Sequence, residues 1–99
     1  MKTIKTHELK TINPYFSDVY DGKKPVEIRL DDRVFEVEDI LWLREYIPAY
    51  AYHDAEYTGR EIICLVTYMI PAGQFEGLSP GYCLMAIKIL HRLTVGTTP

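Results

Sequence analysis

Apolar residues recur mostly at every second position in this chain, which is the period of a strand. Residues 4–10 alternate Ile4, Thr6 and Glu8 on one side with Lys5, His7 and Leu9 on the other. Residues 25–30 place Val26, Ile28 and Leu30 on one face and Glu27 and Arg29 on the opposite one. Asp31-Asp32-Arg33 reads as a turn, 34–37 as a short extended piece, and Glu38-Asp39 as another turn. A further strand over 40–46 sets Leu41 and Leu43 against Trp42, Arg44 and Tyr46. Thr58-Gly59 is expected to turn the chain into its clearest strand, 61–70, rich in β-branched Ile62, Ile63, Val66 and Thr67. Residues 83–90 are apolar except for Lys88, a pattern shared by a strand and a buried helix, and are read as a last strand because the segment is short and the chain otherwise pairs antiparallel.

One segment breaks the alternation. Asn13-Pro14 offers an N-cap and a first helical position. Phe16, Val19 and Tyr20 then follow at helical spacing, and Gly22 supplies the residue that ends a helix. Such a short helix must dock its stripe on a sheet. Several short strands and one early helix predict a mainly β (α+β) fold, a small and mostly antiparallel barrel. The 99 residues make one domain, with a core over about 4–91 and a tail over 92–99.

Composition narrows the function classes. The net charge of −3 argues against sequence-blind duplex binding, which needs a basic surface. Cys64 and Cys83 sit in apolar runs and read as buried, reduced thiols rather than a disulfide framework or zinc site. No apolar run approaches a membrane span or a signal region, so a cytoplasmic protein acting away from membranes is expected. No metal or cofactor motif is present.

Candidate chemistry concentrates at Gly22-Lys23-Lys24-Pro25-Val26-Glu27-Ile28-Arg29. Glu27 and Arg29 are two apart on a strand, so both leave the same face. Arg29 would donate to a carbonyl or phosphate and Glu27 would accept from a base amino group. The plain alternative is a solvated ion pair. Lys24, reaching over the strand's start, would act as a base or charge clamp, or merely cap the helix end.

This segment and its flanks resemble a known family. His7-Glu8-Leu9-Lys10, Pro14-Tyr15-Phe16, Gly22-Lys23-Lys24, Glu27-Ile28-Arg29, Asp32-Arg33, Asp39-Ile40-Leu41 and Tyr57-Thr58-Gly59-Arg60-Glu61, in that order, resemble the ASCH family. Within it they are similar to a small group of bacterial and phage proteins of unknown function. The family's Gly-x-Lys-x-x-Glu-x-Arg pattern is matched at Gly22, Lys24, Glu27 and Arg29. The resemblance implies a PUA-like antiparallel pseudo-barrel with a cleft for RNA or a nucleotide beside the glycine turn. One branch of the family deacylates acetylated cytidine with a lysine of the turn, a threonine on the next strand and a later glutamate. Lys24 fits that lysine, but Glu27 occupies the threonine's position, Pro25 replaces a common threonine, and Glu38 stands where glycine is common.

The remaining candidates are more dispersed. His7 could orient a ligand or Glu27, or be an ordinary hydrogen-bonded side chain. Glu45 and Glu61 could serve as a distal acid pair, or be two surface acids. Tyr50, Tyr52 and Tyr57, in the loop 48–57, could stack on bases, pack over the barrel or form a surface between two copies in a homodimer. The leading expectation is an RNA- or modified-nucleotide-binding cleft built from His7, Lys24, Glu27, Arg29, Glu45 and Tyr57. The alternatives are an amidohydrolase acting on an N-acylated pyrimidine nucleoside through Lys24 and Glu27, and a protein-interaction module using the tyrosine loop.

Overall fold

The computed structural model describes residues 3–94. Strands β1 (Thr6–Thr11), β2 (Val26–Leu30), β3 (Ile40–Ile47), β4 (Glu56–Ile70) and β5 (Tyr82–Thr94) form one sheet in the order β1-β3-β4-β5-β2, with helix α1 (Tyr15–Tyr20) packed on it. Three of the four strand pairs are antiparallel; β1 joins β3 in parallel. The sheet curls into a half-barrel because its long central strands carry bulges, between Arg44 and Tyr46 against β4, and at Ile63/Cys64 and Val66/Tyr68 against β5. A bulge adds a residue to one strand only, so the strand bends and its twist increases.

The concave side holds the core. Leu9, Leu41, Leu43, Ile62, Cys64, Val66, Cys83 and Met85 line it, and Phe16 and Val19 of α1 close over them. Phe35 plugs one end from the 31–39 connection, a loop that bends at 32–33 and turns at 37–38, with the expected extended piece 34–37 forming no strand. That loop is tied to β4 by Glu38 N–H to Val66 O (2.8 Å) and Val66 N–H to Asp39 O (2.9 Å). Glu38 adopts φ +77°, which favours glycine.

Several sequence expectations are corrected. Thr58-Gly59 is not a turn. It lies inside β4, which begins at Glu56, and Gly59 (φ +95°) serves the bulge opposite Glu45. Residues 92–94 of the expected tail continue β5, and 95–99 lie outside the described residues. Pro14, not Asn13, occupies the N-cap position, although Asn13 Oδ1 still accepts from the Ser17 amide at 3.0 Å. In β2 the usual burial rule is inverted. Glu27 is only 2% exposed, while Ile28 and Leu30 lie on the convex face about half exposed.

Candidate functional site

The site begins where α1 ends. Gly22 takes φ +79°, its amide donates to Val19 O (3.0 Å), and the Lys23 amide donates to Asp18 O (2.9 Å). This paired closure satisfies the last helical carbonyls and reverses the chain. The Lys24 amide also donates to Asp18 O, at 3.0 Å, so the lysine backbone is pinned before β2 starts.

β2 pairs with β5 so that Glu27 stands beside Met85 and Arg29 beside Cys83, both buried residues of the concave face. A lone carboxylate there would be costly, and it is compensated from both sides. Lys24 Nζ donates to Glu27 Oε1 at 2.8 Å, and Arg29 Nε donates to Oε2 at 2.9 Å. Arg29 then reaches across the open side of the half-barrel. Its Nη1 donates to Lys10 O (3.1 Å) and its Nη2 to Thr11 Oγ1 (2.8 Å), both on β1. Arg33 repeats the link two residues along, with Nη1 donating to Glu8 O at 2.8 Å. The unpaired margins of β1 and β2 thus face each other across a seam bridged by guanidinium groups.

A cavity of about 550 Å³ opens at this seam, lined by Lys10, Thr11, Ile12, Tyr15, Lys24, Glu27, Ile28, Arg29 and Tyr82. Its size suits a small-molecule site, as do mostly apolar walls with a few convergent polar groups. Lys24, Glu27 and Arg29 together carry a net charge of +1. An ammonium has three N–H donors and a guanidinium five. Subtracting the contacts above, one for Lys24 and three for Arg29, leaves two on each. Each Glu27 oxygen accepts one of these bonds, so the carboxylate anchors both cations at the cavity wall. The cavity offers surplus donors between aromatic and aliphatic walls, the complement of a planar, acceptor-rich anion.

Two shallower hollows continue along the seam. One, of about 290 Å³, lies between Arg29, Arg33, Phe35 and Tyr82. The other, of about 570 Å³, is bordered by Glu8, Lys10, Arg29, Arg33 and Tyr57.

The other sequence candidates are placed elsewhere. His7 does not reach Glu27. Its Nε2 lies 2.9 Å from Asp39 Oδ2, beneath the Phe35 ring at 4.6 Å. Glu45 and Glu61 are both buried, so they are not surface acids, and they do not form a pair. Glu45 accepts from Asn13 Nδ2 (2.6 Å), Thr58 Oγ1 (2.5 Å), Arg60 Nε (2.9 Å) and Arg60 Nη2 (2.7 Å). Arg60 foremost, then Thr58 and Asn13, hold its carboxyl down at about 2. Glu61 instead accepts from Trp42 Nε1 (2.8 Å) and Arg44 Nε (3.0 Å).

Tyr57 lies on β4 against Tyr46, with the Arg44 guanidinium 3.8 Å from its ring centroid. Tyr50 stacks on His53 at 4.7 Å in a tight turn away from the seam lining, and Tyr52 is fully exposed. Thr11, Tyr15 and Tyr82 were missed as lining residues. For Thr11 the signal was available, since it shares the inward face with His7 and Leu9. Among the described residues no cluster of three or more His, Cys, Asp or Glu side chains is placed to hold a metal. No helix there is long and apolar enough to cross a membrane.

Comparison with known proteins agrees with the span of this architecture. The family described as a domain of unknown function, DUF3850, matches residues 6–87, from β1 into the first half of β5. An uncharacterized 12.9 kDa protein from the GpA 3′ region of Escherichia phage P2 is 36% identical over 63 residues. That match covers 64% of this chain and 52% of the phage protein, about half its length.

Proposed function

The chain belongs to the DUF3850 family, and from that premise we propose that its seam cavity binds RNA or a nucleotide through acceptor groups on the ligand. One observation carries the reading. The buried Glu27 carboxylate orients Lys24 and Arg29 with one oxygen each, and both cations keep spare donors at the rim of a cavity walled by Tyr15 and Tyr82. Charge-assisted donors suit phosphate or carbonyl oxygens, and tyrosine rings suit a base. The ordered motifs that resemble ASCH proteins support the same reading, with a PUA-like fold as its finer form. A cytoplasmic setting, with Cys64 and Cys83 reduced, belongs to the proposal.

Isothermal titration of nucleoside monophosphates and short single-stranded RNA tests it. Tyr15→Ala is the informative variant, because Tyr15 is half exposed and contributes little to the core. Binding should weaken about tenfold with Tyr15→Ala, the loss of one stacking contact. Lys24→Gln should weaken phosphate-bearing ligands more than nucleosides. An absence of binding, or binding indifferent to both changes, overturns the reading.

A further inference from the structure

We infer that the seam between β1 and β2 is a track for a short single strand of RNA rather than a closed pocket for one free nucleotide; this rests on the proposed reading of the cavity. Arg29 borders all three hollows along the seam, so it stands between neighbouring compartments. Each compartment also has a tyrosine at its rim: Tyr15 and Tyr82 at the first, Tyr82 at the second, Tyr57 at the third. A repeated ring with a shared guanidinium between rings matches the alternation of bases and phosphates in a single strand.

Charge points the same way. The third hollow sets Lys10, Arg29 and Arg33 against Glu8 alone, in a chain whose net charge is −3. Over the three hollows together four cations (Lys10, Lys24, Arg29 and Arg33) stand against three acids (Glu8, Glu27 and Asp32), so the seam is net positive while the rest of the chain is acidic. That confines a polyanion to this line and disfavours general duplex binding. Arg33 spends one donor on Glu8 O and has its Nε 3.5 Å from Asp32 Oδ1, which leaves donors for a phosphate.

The test is a length series of mono-, tri- and hexanucleotide RNA, titrated at several salt concentrations against the wild-type chain, Arg33→Gln and Tyr57→Leu. Affinity should rise from the mononucleotide to the trinucleotide by at least tenfold. Tyr57→Leu should remove about tenfold from trinucleotide binding and leave mononucleotide binding unchanged. Arg33→Gln should lower the salt slope for the trinucleotide by about one, a change that loss of a purely structural link to β1 would not produce. Equal affinity at all lengths, or trinucleotide binding insensitive to both variants, overturns the track while the cavity reading stands. No binding of any RNA overturns both.

Discussion

Replacing Glu45 with glutamine should remove a pH-dependent part of the stability and nothing from the seam. The carboxylate accepts four hydrogen bonds from Asn13, Thr58 and Arg60. These residues precede α1 and form the bulge of β4, so the contact fastens three separate parts of the chain. Its carboxyl falls from 4.5 to about 2, led by the Arg60 bonds. The difference, 4.5 − 2 = 2.5, corresponds to about 3 kcal/mol at 1.36 kcal/mol per unit. Arg60 keeps 35% of its side chain exposed, so screening reduces the expected value to about 2–3 kcal/mol. The folded-state value lies below that of the unfolded chain. The stabilisation is therefore complete above about pH 4.5 and is withdrawn as the pH falls toward 2. In Glu45→Gln the side-chain amide turns a donor toward donors, and the charge is gone. Urea unfolding followed through the single tryptophan, Trp42, should show the variant about 2–3 kcal/mol less stable at neutral pH. The gap should shrink to about 1 kcal/mol or less near pH 2. A gap that stays constant across this range refutes the role given to the charge.

Glu38→Gly should stabilise the fold by about 0.5–1 kcal/mol, because φ +77° costs a side-chain-bearing residue more than glycine loses in chain entropy. Thermal melts read this, and a lower midpoint contradicts it. Burial first, and the nearby Glu27 charge second, push the Cys64 thiol up to about 12, and burial also raises Cys83. Neither should react with a thiol reagent at pH 8 until urea is added, and prompt labelling of the folded chain would show the core to be open. Glu27→Gln should cost about 2 kcal/mol, below the roughly 3–5 typical when a buried pair loses one member, because Lys24 and Arg29 can turn toward solvent. In denaturant titration, an unchanged midpoint would mean that the carboxylate is not what holds the two cations in place.

Alternation made β1, β2 and β3 legible, β-branched residues marked β4, and Gly22 announced the end of α1, whereas the almost wholly apolar run 83–90 of β5 carries no alternation. What alternation does not carry is which face goes inward. In β2 the apolar set faces out because Glu27 arrives with its own two cations and can be buried. Nor does it carry pairing partners, so the parallel contact of β1 with β3 needed the whole sheet. Thr58-Gly59 has the composition of a turn, but a bulge asks for the same glycine. Lys24, Glu27 and Arg29 could be brought together from sequence because they are neighbours in it. The Glu45 cluster could not, since Asn13, Thr58 and Arg60 meet it from distant positions.

A sheet that stops short of closing leaves two bare margins, and such margins recruit strands from other molecules. Here Arg29 and Arg33 occupy the outward carbonyls of Lys10 and Glu8 on β1. An invading strand at β1 would have to displace two guanidinium groups before forming its first rung. The cations that make the gap attractive to an anion thereby also guard the chain against self-templated growth.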